Sequence, residues 1–533
     1  MKNFNYSFLV WILSISIAFA QQMVSGVVSD DQGFPLPGAT ILEVGTSNGT
    51  TTDFDGNFTI QVAEGASISI SYVGYETLVQ DANSDYSNVV LIASNALEEV
   101  VVTSFGVTRE KKSLGYSQQS VGGDQLVKAR ETDVANALAG KIAGVQIVGN
   151  NSSTFGPGQI RLRGSDDVLY VVDGVRIYSP NDINTDNVAD ISVLKGASAT
   201  ALYGPEGRNG VIIITSKKAE KGKAVIELDQ SVAVNQLARL PDFQNEYGGG
   251  YSQSFNVFNY DPATDPASWA SFDGDLYPDF YADESWGPRL DGTLVRHWDS
   301  WAPDTPEFGV KRPWTQTPND VDEFYEDALT SNTTLSFSKA AEDYNIRSTI
   351  SYIDQNGIIP NSKNNVIRFN LNLSYNITEK LTFITNLNVE DREMLNNPDQ
   401  NYGNLGSNFN QWWQRQLDFD RLKEYERGGN VVSWNIRGPR DLRPLYWDMP
   451  YFHSYENFKN FNKNSNFGKV EANYKFSDKF SAKVQVRKTF HSYLEDDRAT
   501  TKSLLDPAFY SEFHGRNERT DFYGMLSYKD SFL

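Results

Sequence analysis

For metal or nucleophile chemistry the chain offers four histidines, His297, His453, His491 and His514, and no cysteine. The histidines show no HExxH or paired-ligand spacing. Without cysteine, thiol nucleophiles, disulfides and Cys-type zinc sites are excluded. Asp166-Asp167 supplies the two carboxylates that glycoside hydrolysis requires, yet in a chain of formal charge −21 adjacent acids read as a solvated turn. Asp53, Asp55 and Gly56 begin a calcium loop but lack its third acidic position and its distal glutamate. Asp55-Gly56 between Phe54 and Phe58 reads instead as a hairpin turn. Gly204, Gly207 and Gly210 lack dinucleotide spacing, and no P-loop follows. These residues predict neither an enzyme nor a metal or cofactor site. A pI near 4.7 also disfavours nucleic acid, which needs a basic footprint.

Two other features are chemically usable. The first is "LEEVVVTSFG", Leu97 to Gly106, whose β-branched Val100, Val101, Val102 and Thr103 favour an extended backbone. It is either the last strand of the module before it or a strand offered to another chain. The second is tryptophan. Apart from Trp11, every tryptophan falls in two stretches, with Trp269, Trp286, Trp298, Trp301 and Trp314 in one and Trp412, Trp413, Trp434 and Trp447 in the other. Such rings suit sugars, amphipathic peptides, docking proteins or the packing of large ordered loops. Trp298, Trp301, Trp412, Trp413 and Trp447 are taken as candidate ligand or lid contacts.

The elements that position these residues are mainly β. Residues 1–20 read as a signal peptide, with Lys2, an apolar run from Phe8 to Phe19 and cleavage after Ala20. Residues 21–95 read as short strands joined by tight turns, a small β-sandwich. After the linker 96–106, the segment 107–222 is glycine-punctuated, with buried strands "VLYVVDG" and "GVIIITS" and a short helix "ASATALYG".

From 223 to 533 the alternation is clean. In "VIRFNLNLSYNI", Ile367, Phe369, Leu371, Leu373, Tyr375 and Ile377 share one face, with Arg368, Asn370, Asn372, Ser374 and Asn376 opposite. Strands are predicted near 224–234, 332–338, 345–353, 366–377, 381–390, 467–476, 480–490 and 520–529. Short turns fall at one end and longer connections at the other. That asymmetry predicts a membrane β-barrel rather than a soluble sandwich. Lys469, Lys483 and Arg487 must then face the lumen. A barrel wide enough for an internal domain needs ~22 strands, so the sequence is expected to stop inside its barrel.

"IRLRGSDDVLYVVDGVRI" and "ISVLKGASATALYGPEGRNGVIIITSKK" closely resemble the plug of TonB-dependent outer-membrane transporters. The preceding sandwich resembles the carboxypeptidase-regulatory-like, transthyretin-type module, which narrows the resemblance to the SusC/RagA-like group of Bacteroidetes. It covers the sandwich, the linker and the plug. The departure is "GPEGRNG", where Pro205 and Glu206 replace an expected Ser-Arg.

The resemblance implies a TonB box at Leu97, Glu98, Glu99, Val100, Val101, Val102 and Thr103. It implies a plug motif at Arg161, Arg163, Gly164, Asp173, Gly174, Gly204, Gly207 and Gly210, with Arg161 and Arg163 ion-paired to the barrel. The implied partners are TonB with ExbB-ExbD, a SusD-like surface lipoprotein lid and outer-membrane lipid. The implied activity is TonB-energised import of an oligosaccharide or peptide, with the N-terminal domain and the box in the periplasm. The alternative is a structural subunit of an outer-membrane assembly or secretion machine.

Overall fold

The computed structural model describes residues 21–46, 48–72, 75–92, 100–102, 108–110, 119–129, 131–149, 155–156, 158–303, 305–397, 405–505 and 507–529. The signal-peptide expectation at 1–20 and the box residues Leu97, Glu98, Glu99 and Thr103 lie outside them. The chain forms two compact units, Met1–Tyr116 and Ser117–Leu533.

In the first unit, Gln21–Asp30 pairs antiparallel with Asn57–Ala63 and parallel with Val89–Leu91. A four-stranded sheet runs in the order Gly49–Thr51, Thr40–Glu43, Ser67–Ser71, Leu78–Asp81. Val28, Ile41, Ile60, Ile68, Ile70 and Leu91 alternate inward and form the shared core. Asp53 is a turn acceptor, its Oδ1 taking the Asp55 N–H at 3.0 Å and the Asn57 N–H at 2.8 Å. Val100–Val102 joins neither sheet. It pairs antiparallel with Thr108–Glu110, Val101 opposite Arg109.

The second unit begins with a five-stranded sheet in the order Gln119–Gly122, Val188–Leu194, Val211–Ser216, Leu169–Val172, Val175–Ile177. Its central strands are near-continuous apolar runs because both faces are covered. A hairpin, Val145–Val148 with Gln159–Leu162, and the short helices Val134–Ala137 and Ala197–Tyr203 surround it.

Eight antiparallel strands follow in simple up-and-down order: Val225–Asn235, Ala328–Ala340, Tyr344–Asn356, Lys363–Asn376, Leu381–Leu395, Lys459–Lys475, Phe480–Ala499 and Phe509–Tyr528. Turns 341–343, 377–380 and 476–479 close one end. Connections 236–327, 357–362, 396–458 and 500–508 close the other. All eight expected strands are present, and most reach further toward the long-loop end than the alternation indicated.

The burial of this sheet is inverted. Ile350, Ile367, Phe369, Val470, Val484 and Phe522 are exposed, while Thr334, Ser336, Thr349, Asn370, Glu471 and Gln485 are buried against the domain inside. A water-soluble sandwich does the reverse. Lys469 and Lys483 ion-pair with Glu471 on the inner face, at 3.3 and 3.4 Å, and Arg487 is buried on that face. Val484, 60% exposed, points outward. Val484→Arg is therefore expected to cost about 2–4 kcal/mol in a bilayer and block stable insertion, whereas Lys483→Ala should insert normally. Equal amounts of the two proteins in membrane extracts would contradict this placement.

Candidate functional site

The inner domain's sequence motif is a pair of tight turns. Arg163 and Gly164 have φ of 52° and 86°, and Asp173 and Gly174 have 47° and 87°. Each pair forms the two central residues of a hairpin that needs positive φ twice, which favours an Asp-Gly sequence and tolerates Arg-Gly at a cost. Asp173 also ties its turn outward: Oδ1 accepts from the Ser216 N–H at 3.1 Å, and Oδ2 accepts from Asn386 of the wall at 3.4 Å. Gly210 is needed for space as well as for its φ of 112°, since a Cβ there would lie 2.1 Å from Leu162.

Among the described residues, Arg161 and Arg163 do not make the barrel ion pairs expected of them. Arg161 reaches Asp166 of its own domain at 4.0 Å, and among the described residues Arg163 has no ion pair. Sequence spacing places both on the motif hairpin but cannot say which way the hairpin faces.

Other residues hold the domain to the wall. Asp182 accepts from Lys463 and, at 2.6 Å, from the Ser465 hydroxyl. Lys463 also pairs with Glu390 at 3.1 Å, which in turn takes Arg368 Nε at 2.7 Å and Arg392 Nε at 3.2 Å. Arg368 extends past Glu390 to donate to the backbone carbonyls of Thr132 at 3.2 Å and Asn181 at 2.8 Å. Next to Thr132, Asp133 caps the helix Val134–Ala137, accepting from the Asn136 N–H at 2.8 Å. Burial pushes its carboxyl up, against the pull of that hydrogen bond and of Arg368 and Arg392.

Hydrogen bonds continue around the domain: Thr349 to Asn187 Oδ1 at 2.7 Å, Thr489 to the Arg176 carbonyl at 2.6 Å, and Asn345 to the Ala219 carbonyl at 2.6 Å. Phe467, on the inner face of the wall, packs into the domain's apolar core. Glu206, the unexpected residue of "GPEGRNG", pairs with Arg176 beside it and with Arg519 of the eighth strand at 3.2 Å. Asp182, Glu390, Arg392 and Lys463 were not singled out from sequence, and Glu206 was noted only as a departure from the plug pattern. Asp182 and Glu206 sit in 3-10 turns of the inner domain, and Glu390, Arg392 and Lys463 on the inward face of the wall.

At the long-loop end, connections 236–327 and 396–458 build an aromatic core of their own. Trp301 is completely buried, with the Phe258 ring 5.0 Å away, and Trp413 stacks on Phe419 at 5.0 Å. Trp298 is buried beneath Arg427. Trp298, Trp301 and Trp413 therefore cannot touch a ligand or a lid as expected, because loops of this length need apolar ballast to stay ordered. Trp412 and Trp447 are half-buried, the latter donating its Nε1–H to Asp283 at 3.2 Å. Among the described residues the most exposed tryptophan is Trp286, at 75%.

Comparisons with known proteins fit this arrangement. Residues 24–102 match the CarboxypepD_reg-like domain and residues 110–211 the TonB-dependent Receptor Plug Domain. The TonB-dependent receptor SusC of Bacteroides thetaiotaomicron is 32% identical over 384 residues, covering 68% of this chain and 34% of that protein. The TonB-dependent receptor P3 of Formosa agariphila is 35% identical over 274 residues, covering 48% of this chain and 27% of that one. The chain thus spans about a third or less of the length of these curated relatives. Among solved structures, the RagAB peptide importer in its open-open state shares the fold with a TM-score of 0.60 at 18% identity, over 81% of this chain and 47% of that one. A CarboxypepD_reg-like domain, a receptor plug and a barrel sheet, in that order, make this chain similar to the SusC/RagA-like TonB-dependent receptors.

Proposed function

We propose that the chain acts in TonB-energised import of oligosaccharides or peptides across the outer membrane. The reading is carried by the inverted sheet: an apolar outer face for lipid, and a polar inner face that grips a plug through hydrogen bonds and ion pairs. Such contacts exchange for water at modest net cost, so a plug held this way can be moved where an apolar interface would resist. Similarity to SusC supports the receptor role, and similarity to RagAB, a peptide importer, supports peptide as one cargo class.

The outer membrane has no nucleotide supply, so work on the plug must arrive through the periplasm. Val100–Val102, lying ahead of the plug in sequence, is the candidate handle for TonB with ExbB-ExbD, gripped by β-addition. The loops 236–327 and 396–458 would face outward, where a SusD-like lipoprotein lid would meet them. Val101→Pro removes a backbone donor from the handle. Uptake by the full-length protein is expected to fall to background while its amount in the outer membrane stays normal. Undiminished uptake would overturn the TonB-box assignment.

A further inference from the structure

The handle Val100–Val102 already has a partner strand. It pairs antiparallel with Thr108–Glu110, Val100 opposite Glu110, Val101 opposite Arg109 and Val102 opposite Thr108. The sandwich does not use either strand: its last described strand is Val89–Leu91, and neither of its sheets takes up Val100–Val102 or Thr108–Glu110. Among the described residues, no strand of the second unit takes them up either. The two strands make a sheet of their own, with two open edges.

Those edges differ in kind. One belongs to "VVV", three consecutive β-branched residues that favour an extended backbone and carry no charge. The other belongs to "TRE", which runs on in sequence into Lys111 and Lys112. Charged residues, lysine above all, are what proteins place on an edge to keep further strands away. An incoming strand is therefore directed to the valine edge.

Two strands of three residues form a ladder too short to stand alone. A third strand supplies what it lacks, by adding backbone hydrogen bonds to residues already held extended. Holding the handle extended before contact also lowers the conformational entropy lost on capture, which is how preorganisation raises affinity. A handle without a partner strand would lose that entropy in full at the moment of binding.

We propose that Thr108–Glu110 is a return strand that presents Val100–Val102 in extended form, and that an edge strand of TonB completes a three-stranded sheet on the valine edge. This deepens the import reading, on which it rests, by making residues beyond the TonB box part of the docking surface.

The test is equilibrium binding of the periplasmic domain of TonB to the purified full-length protein. Successive N–H groups along a strand point to opposite edges. Thr108→Pro combined with Arg109→Pro therefore removes one ladder donor, whichever edge each N–H faces. This double-proline variant is expected to bind TonB about tenfold more weakly, with uptake down severalfold and a normal amount in the outer membrane. Thr108→Val combined with Arg109→Gln changes the same side chains, keeps both donors and should bind like the wild type. Tighter binding by the double-proline variant would mean that the return strand masks the handle, and unchanged binding that it is idle. Either result overturns the proposal. Equal weakening in the Val/Gln variant would place the effect in side chains rather than in the strand, and overturn it too. Val101→Pro separates this failure from failure of the import reading. If Val101→Pro abolishes binding and uptake while the double-proline variant binds normally, only the return strand falls. If uptake survives Val101→Pro, the box assignment falls and the return strand with it.

Discussion

Asp299→Asn is expected to release the two outer loops from each other, at a cost of about 3–5 kcal/mol for a buried charge cluster that loses its central anion. Asp299 has no solvent exposure. It receives Arg312 from its own loop and Arg421 Nε from the other at 2.9 Å, with Arg427 at 3.8 Å. Glu307 shares Arg421 at 3.2 Å and Arg427 at 2.7 Å. Three guanidiniums thus surround two carboxylates, with Glu424 3.9 Å from Arg427, and removing Asp299 leaves Arg312 with no anion in ion-pair contact among the described residues. Asparagine keeps the shape and removes only the charge. The expected readout is loss of amide-exchange protection around Trp298–Trp301 and Phe419–Leu422 together, since the cluster joins them. Adding Arg312→Met should recover part of the loss, because it removes the stranded cation. Unchanged protection in Asp299→Asn would show that the aromatic core alone holds the loops.

The same cluster sets an acid limit. Burial raises the Asp299 carboxyl, but Arg312 and Arg421 outweigh it and hold it below the usual range. A carboxyl depressed in the folded state contributes fully above its unfolded value and is lost as pH falls through its folded value. The loops should therefore stay joined through mild acid and separate only below the ordinary carboxylate range.

Much of this architecture was legible in sequence because a membrane sheet has an exact two-residue period with opposite faces in opposite media. Ile367, Phe369 and Leu371 against Arg368, Asn370 and Asn372 fix strand, face and medium together. The outer strand ends were missed where that contrast fades. "NFNKNSN", 460–466, and "LEDDRA", 494–499, leave the lipid zone and are polar on both faces, so they read as loop although their backbones remain paired. Tryptophan misled for another reason. Ring type is the same in a loop core and in a binding face, so burial separates Trp301 from Trp286 and composition does not. The plug-to-wall partners were beyond reach because Asp182 and Lys463 lie 281 residues apart, and no local pattern encodes that meeting.

Glu390→Ala should do the most damage at the plug. Glu390 is 1% exposed and, among the described residues, is the only wall carboxylate that contacts Arg368, Arg392 and Lys463. Two of those cations grip the plug directly, Lys463 through Asp182 and Arg368 through the Thr132 and Asn181 carbonyls. Without Glu390 the three repel one another in a buried site, with a loss of about 3–5 kcal/mol. That loss should appear both in barrel unfolding and in plug retention. Asp182→Asn removes the plug's half of the contact only. The wall keeps Glu390 among its cations, so barrel stability should hardly change while protease cleavage of the plug and passive leakage rise. The ordering follows from position. Glu390 neutralises a wall that must stand whether or not the plug is seated, whereas Asp182 matters only while it is seated. Equal losses of barrel stability in the two variants would place Asp182 within the wall's own charge balance and remove it as the releasable half of the contact.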